Sequence, residues 1–169
     1  MRPFQLRNTT HPGRDNYEQT RARAERILDC MFSSVSPASG SVFFRDTIGL
    51  RLFKDEIALS LLKDLSPDRE LRVWVPYGSL GHDAYSIAIC LIEAMGSRWR
   101  EIPLRVFSTD SDEDALARAR SGRYPLDSCR NLSPETFERF FISDSGGVRV
   151  RSFLRNACRF VAATDNPPF

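Results

Sequence analysis

The sequence predicts an α/β fold in which a parallel sheet is covered by helices, and three observations carry that expectation. Residues 71–75 and 104–108 are short apolar runs of strand length. Each is followed by residues with helical apolar spacing, about 82–95 after the first and 112–120 after the second. Both helical stretches run into a glycine, Gly96 and Gly122, the residue most at ease in the left-handed conformation that ends helices. Strand, helix, strand, helix with short joins makes neighbouring strands parallel, with the helices packed on the sheet.

Taken in order, residues 1–16 mix Arg, Thr, Pro, Gly and Asn without periodicity and read as a loose lead-in. Residues 17–32 carry Ala24, Ile27, Leu28, Met31 and Phe32 at helical spacing with arginines elsewhere on the wheel, an amphipathic helix. The small residues of 33–41, SSVSPASGS, form a linker. A second amphipathic helix follows Phe43-Phe44-Arg45-Asp46, with Leu50, Phe53, Ile57 and Leu61 on one face and Asp46 or Thr47 as its cap. Pro67 ends the connection to the first strand. Ser133-Pro134-Glu135 starts another helix, with Ser133 as cap and proline in the first turn. Gly146-Gly147 turns the chain into a short strand at 148–150, and residues 158–162 supply a third strand of the main sheet.

At 169 residues and 41% hydrophobic content the chain can build one core. Its 24 basic and 22 acidic residues leave a net charge of +2, too balanced to make nucleic acid or an anionic membrane the main partner. Cys30, Cys90, Cys129 and Cys158 are widely spaced, with no C-x-x-C pair, and read as reduced, buried thiols rather than a disulfide frame or zinc site. The N-terminal residues lack the apolar core of a signal peptide, and the longest apolar run, 87–92, is too short to cross a bilayer. The expected location is cytoplasmic, with no membrane insertion.

A ligand site is expected at the turn after the first strand, YGSLG at 77–81, where backbone N–H groups and a helix N-terminus converge. The string is one residue from the hydrolase elbow G-x-S-x-G, with Tyr77 in place of the first glycine. Such an elbow needs a histidine later in the chain, and the two histidines are His11 and His82, the latter on the same turn as Ser79. A P-loop fails because no Gly-Lys-Ser/Thr follows. A nucleoside-type cofactor remains, with an acid at the end of the second strand to bond ribose hydroxyls. Asp110 has that place and spacing, although it could instead cap the next helix.

Several strings, in order, resemble one family, the CheR-type chemotaxis receptor methyltransferases. SVFFRD (41–46) is similar to the family's T-x-F-F-R-D, and RVWVPYGSLGHDAYSIA (72–88) to R-V-W-x-x-G-C-S-T-G-E-E-A-Y-S-I-A. VFSTDSDEDALARARSGRYP (106–125) resembles the segment containing F-A-T-D-I-D, and NLSPETFERFF, GGVRVRSFLRNACRF and NPPF follow in family order. The resemblance covers residues 41–169. It implies a partial Rossmann-like class I methyltransferase fold with an N-terminal lead-in, helix and linker (1–40) and a small β-subdomain inserted at about 126–156, which in the family docks receptor tails. It implies S-adenosyl-L-methionine as cofactor and a chemoreceptor or related signalling protein as partner. The implied activity is protein-glutamate O-methylation in chemotaxis signal transduction. The alternatives are a non-catalytic interaction module on the same scaffold, or a fragment of a longer methyltransferase.

Carried over by position, the cofactor-binding residues are Ser41 and Arg45 at the methionine end, Gly78, Ser79 and Gly81 in the turn, Asp83 in its acidic pair, Asp110 at the ribose and Thr164 near the adenine. No catalytic residue and no metal ligand is assigned. The alternatives are that Arg45 is a surface ion pair and Asp83 a first-turn acid favoured by the helix dipole. The chain departs from the family at Tyr77, where a small residue is usual and the phenol ring could fill cofactor space. His82 and Asp83 stand for the paired glutamates, and Thr164-Asp165 for the family's Asn-Leu. The family continues beyond the NPPF string into a fourth strand that would lie beside residues 71–75. One side of that strand is therefore expected to be unpaired, inviting self-association.

Overall fold

In the computed structural model the described residues are 5–7, 22, 23, 26, 41–62, 65–67 and 69–163. β2 (Leu71–Pro76) and β3 (Leu104–Asp110) pair in parallel, from Leu71 opposite Leu104 to Pro76 opposite Thr109. β7 (Cys158–Ala162) pairs in parallel with the other side of β3, from Val106 opposite Cys158 to Asp110 opposite Ala162. The three strands are the expected parallel sheet, and Val73, Val75 and Val106 in it are fully buried. Continuous apolar strands are what a sheet covered on its faces requires.

One expectation fails at the edge of this sheet. Gln5–Arg7 forms a strand, β1, antiparallel to β2, with Gln5 opposite Trp74, Leu6 opposite Val73 and Arg7 opposite Arg72. The sheet order is therefore β1-β2-β3-β7. Part of the segment read as a loose lead-in covers the edge read as open, which removes the reason for expecting self-association there. Three residues suffice because the pairing, not local propensity, makes the strand. Of the helix expected at 17–32, Ala22, Arg23 and Arg26 are helical. The rest, with Cys30, lies outside the described residues.

α1 (Thr47–Leu52) is capped by Asp46, whose carboxylate accepts from the Gly49 N–H at 2.8 Å. It widens into a π-helical stretch (Phe53–Ala58) and closes as α2 (Leu59–Leu62). The π-helical turn is not anticipated by the regular 3.6-residue spacing. The predicted face is nonetheless the buried one, with Leu50, Phe53, Ile57 and Leu61 each no more than 3% exposed. That face packs on α3 (His82–Met95), which is buried along most of its length. Lys54 meets Glu93 at 3.1 Å and the Cys90 thiol points to the Leu50 carbonyl, tying the two layers together.

α3 ends at Gly96 in a positive-φ conformation and passes through a 3-10 turn (Gly96–Arg100) into β3. α4 (Glu113–Ser121) ends at Gly122, also at positive φ, as its composition predicts. The chain then builds a separate antiparallel sheet of order β4-β6-β5: β4 (Arg123–Tyr124), β5 (Phe141–Asp144) and β6 (Gly147–Val150). α5 (Pro134–Phe140) precedes β5, capped by Ser133 with proline in its first turn, and α6 (Ser152–Ala157) leads into β7. The small sheet begins at Arg123, three residues before the expected start at 126, because β4 pairs with β6. Cys90, Cys129 and Cys158 are free and buried, and burial pushes the Cys90 thiol up to about 12 and that of Cys129 to about 11. Among the described residues no helix is long and apolar enough to cross a membrane.

Candidate cofactor site

The parallel register sets the ends of β2 and β3 side by side, so the turn at 77–81 folds back over β3. The Gly78 N–H donates to the Thr109 carbonyl at 3.1 Å, and the Gly81 N–H to the Gly78 carbonyl at 2.8 Å. The Ser79 N–H donates to Asp110 Oδ2 at 2.8 Å, while Asp110 Oδ1 accepts from the Asp112 N–H at 3.0 Å. Asp112 is the cap of α4, accepting from Asp114 and Ala115. Asp112, not Asp110, is therefore the cap of α4. The Asp110 carboxylate clamps the turn to β3 with one lone pair of each oxygen, and a carboxylate has about four acceptor directions, so further hydroxyl donors can be accommodated.

Three residues of the turn have positive φ: Tyr77 at 54°, Ser79 at 44° and Gly81 at 85°. For Tyr77 and Ser79 this is the left-handed region that a Cβ disfavours. Tyr77 is 71% exposed, so the departure from a small residue burdens the backbone first. Gly78 is required by close approach from behind, since a Cβ there would lie 1.8 Å from Ser108 Oγ. Ser108 is fully buried and its hydroxyl has no hydrogen-bond partner. The family strings carry a cysteine at Gly78 and an alanine at Ser108. The added Ser108 oxygen thus occupies room that the lost side chain at 78 left.

The segment 41–46 crosses the start of α3. The Phe44 N–H donates to Ser86 Oγ at 3.0 Å, and Ser86 Oγ donates onward to the His82 carbonyl at 2.8 Å. Arg45 and Asp83 then meet at 2.6 Å, with side chains 22% and 18% exposed, in one half-buried ion pair. Burial pushes the Asp83 carboxyl up to about 6, against the pull of the Arg45 guanidinium. His82 is 7% exposed between the rings of Phe43 and Tyr124, at centroid distances of 4.8 and 4.6 Å. Burial lowers its pKa to about 4, with Arg45 acting in the same direction, so it is neutral at physiological pH.

The structure brings Ser79 into contact with Asp110, and Arg45 with Asp83. Gly78 and Gly81 shape the turn between these pairs. Ser41 is exposed, four residues ahead of Arg45, and Thr164 lies outside the described residues. Sequence reasoning missed Ser86 and Tyr124. The Tyr124 hydroxyl donates to the Leu80 carbonyl at 2.6 Å from 44 positions away, and no local spacing signals such a contact. Among the described residues no His, Cys, Asp and Glu group could hold a metal ion.

The donor set suits a zwitterionic nucleoside cofactor. It offers a carboxylate at the strand ends, a guanidinium beside a carboxylate at the helix start, and the buried His82 Nε2, which has no hydrogen-bond partner. The chain matches the family model described as CheR methyltransferase, SAM binding domain, over residues 40–165. It is 41% identical over 98 residues to a chemotaxis protein methyltransferase of Salmonella typhimurium, covering 54% of this chain and 32% of that protein. It is 36% identical over 117 residues to the Escherichia coli chemotaxis protein methyltransferase, covering 64% and 39%. Chemotaxis protein methyltransferase 2 of Pseudomonas aeruginosa is 31% identical over 134 residues, covering 77% and 46%. The matched part of the chain spans between about a third and about half of the length of these relatives.

Proposed function

Because the chain belongs to the CheR methyltransferase SAM-binding domain family, we propose that it supplies the cofactor-binding part of a cytoplasmic enzyme that methylates glutamate side chains of chemoreceptors. The SAM-binding domain indicates S-adenosylmethionine as the cofactor. The observation that carries the reading is the Asp110–Ser79 clamp at the ends of β2 and β3, within the matched region. In open parallel sheets that is where nucleoside ligands lie.

When bound, S-adenosylmethionine supplies a methyl group on a sulfonium, open to attack by a carboxylate oxygen. Asp110 would accept hydrogen bonds from the ribose hydroxyls with its remaining lone pairs. Arg45, oriented by Asp83, would present guanidinium N–H groups to the methionine carboxylate, a charge-assisted pairing, and the Ser41 hydroxyl would serve the same end of the cofactor. Gly78, Ser79 and Gly81 would set the turn that receives the cofactor, and Thr164 is the residue assigned to its adenine end. Alignment rather than proton transfer is what such a displacement asks of the protein. The small sheet is the part that meets the receptor.

The test is transfer of labelled methyl from S-adenosylmethionine to glutamates of a chemoreceptor cytoplasmic domain, run beside calorimetry with S-adenosylhomocysteine. Binding with transfer supports the reading. Binding without transfer leaves the chain as the cofactor-binding part, with transfer dependent on the remainder of a longer methyltransferase. No binding at millimolar ligand overturns the reading and favours the interaction module, for which Tyr77 in the cofactor turn and His82 at the start of α3 speak.

A further inference from the structure

Tyr124 stands where three parts of the molecule meet. It belongs to β4 and pairs opposite Val148 of the small sheet. Its ring packs edge-on against Phe43 at 4.8 Å and tilted against His82 at 4.6 Å. Its hydroxyl donates to the Leu80 carbonyl at 2.6 Å. The peptide unit joining Leu80 to Gly81 is thus held at both ends, because the Gly81 N–H of the same plane donates to the Gly78 carbonyl at 2.8 Å.

That peptide unit is the one most able to turn over. It precedes a glycine at φ 85°, and glycine tolerates either sign of φ. A flip would carry away both the Gly81 N–H bond and the approach of the chain to α3, whose N-terminal cap is Gly81. Gly78 and Ser79 are held by β3, whereas the Leu80 carbonyl is held from the small sheet. Resting on the reading that the turn at 77–81 receives the cofactor, we infer that Tyr124 is a positioning residue: its hydroxyl selects the orientation of the Leu80–Gly81 peptide that the cofactor meets. The small sheet thereby has a direct mechanical link to the cofactor turn. Burial keeps the phenol protonated well above its ordinary range, so the donor is constant across physiological pH.

The experiment compares the full chain with Tyr124→Phe, which keeps the ring, and Arg98→Ala, which removes hydrogen bonds to the Leu62 and Leu65 carbonyls away from the turn. Two quantities are read: amide exchange at residues 79–81 without ligand, and S-adenosylhomocysteine affinity by calorimetry. Tyr124→Phe should speed exchange at these amides and weaken binding about tenfold, while Arg98→Ala lowers the melting temperature and leaves both unchanged. Equal effects of the two variants would reduce Tyr124 to a stability role and overturn the inference, as would unchanged exchange and affinity in Tyr124→Phe. If the wild type binds no ligand, the cofactor reading fails by itself and the exchange data still decide whether Tyr124 orders the turn. Should Tyr124→Phe not fold, the wild-type hydroxyl proton decides: slow solvent exchange supports the bond to Leu80, fast exchange refutes it.

Discussion

Gly78 and Ser108 offer a test of how the turn is packed onto β3. Adding a methyl group at Gly78 sets a carbon 1.8 Å from Ser108 Oγ, against a normal contact of about 3.5 Å, while Ser108 Cβ is 3.1 Å away. Ser108 is fully buried, so its oxygen has little room to move aside. Overpacking of this kind costs about 1–3 kcal/mol, which sets Gly78→Ala about 2 kcal/mol below wild type. Ser108→Ala removes a buried hydroxyl without a partner, a group whose desolvation costs about 1–3 kcal/mol, and leaves a small void; the variant should be neutral or slightly stabilised. In the double variant the clash is reduced to the 3.1 Å carbon contact. Its stability should return to within about 0.5 kcal/mol of wild type, giving a coupling energy near 2 kcal/mol. Urea unfolding followed by circular dichroism measures all four proteins. Additive effects, with the double variant as unstable as Gly78→Ala, would refute the argument.

Tyr77→Gly should stabilise the protein by about 1 kcal/mol, because a left-handed tyrosine carries a penalty of roughly 1–2 kcal/mol that glycine lacks; a lower melting temperature would show that contacts of the tyrosine ring outweigh the backbone. The pair His82 and Asp83 should oppose each other with pH. His82 falls from 6.5 to about 4 on folding, so its contribution is present above pH 6.5 and lost as pH drops towards 4. Asp83 rises from 3.8 to about 6, so its contribution is present below pH 3.8 and lost as pH rises through 6. Each shift corresponds to about 3 kcal/mol, and wild-type stability should vary little from this pair between pH 7 and 4.5, whereas Asp83→Asn should lose about 2–3 kcal/mol over that range. A parallel decline in both proteins would contradict this. Deleting residues 1–8 uncovers β2 and should raise the mass seen by light scattering above that of the full chain; an unchanged mass would show that β1 does not guard the edge.

The strands at 71–76 and 104–110, α3 and α4 were legible because their signals are local: apolar runs, helical spacing, and glycines at 96 and 122 that end the helices. The cap at Ser133, the turn at Gly146-Gly147 and the strand at 158–162 were legible for the same reason. β1 was not, since the three residues Gln5-Leu6-Arg7 are too few to carry a strand signal and become a strand only by pairing with residues more than 60 positions away. The site divides in the same way. Asp110 was readable from its place at a strand end, but its hydrogen bond to Ser79 depends on the fold. Arg45 was given the alternative of a surface ion pair with no named partner and Asp83 that of a first-turn helix acid, because nothing in the sequence shows that residues 38 positions apart close into a 2.6 Å contact. Tyr124 was read merely as part of a family string, and its role follows only from the small sheet lying against the turn.

The central claim is that the Asp110 clamp forms a cofactor site. Calorimetric titration of S-adenosylhomocysteine into wild type and Asp110→Ala tests it most directly. The account predicts saturable binding to wild type and at least tenfold weaker binding to Asp110→Ala, since a hydrogen bond to a charged group contributes about 1.5–3 kcal/mol. Equal affinities in two folded proteins, or no heat with wild type at millimolar ligand, would contradict it.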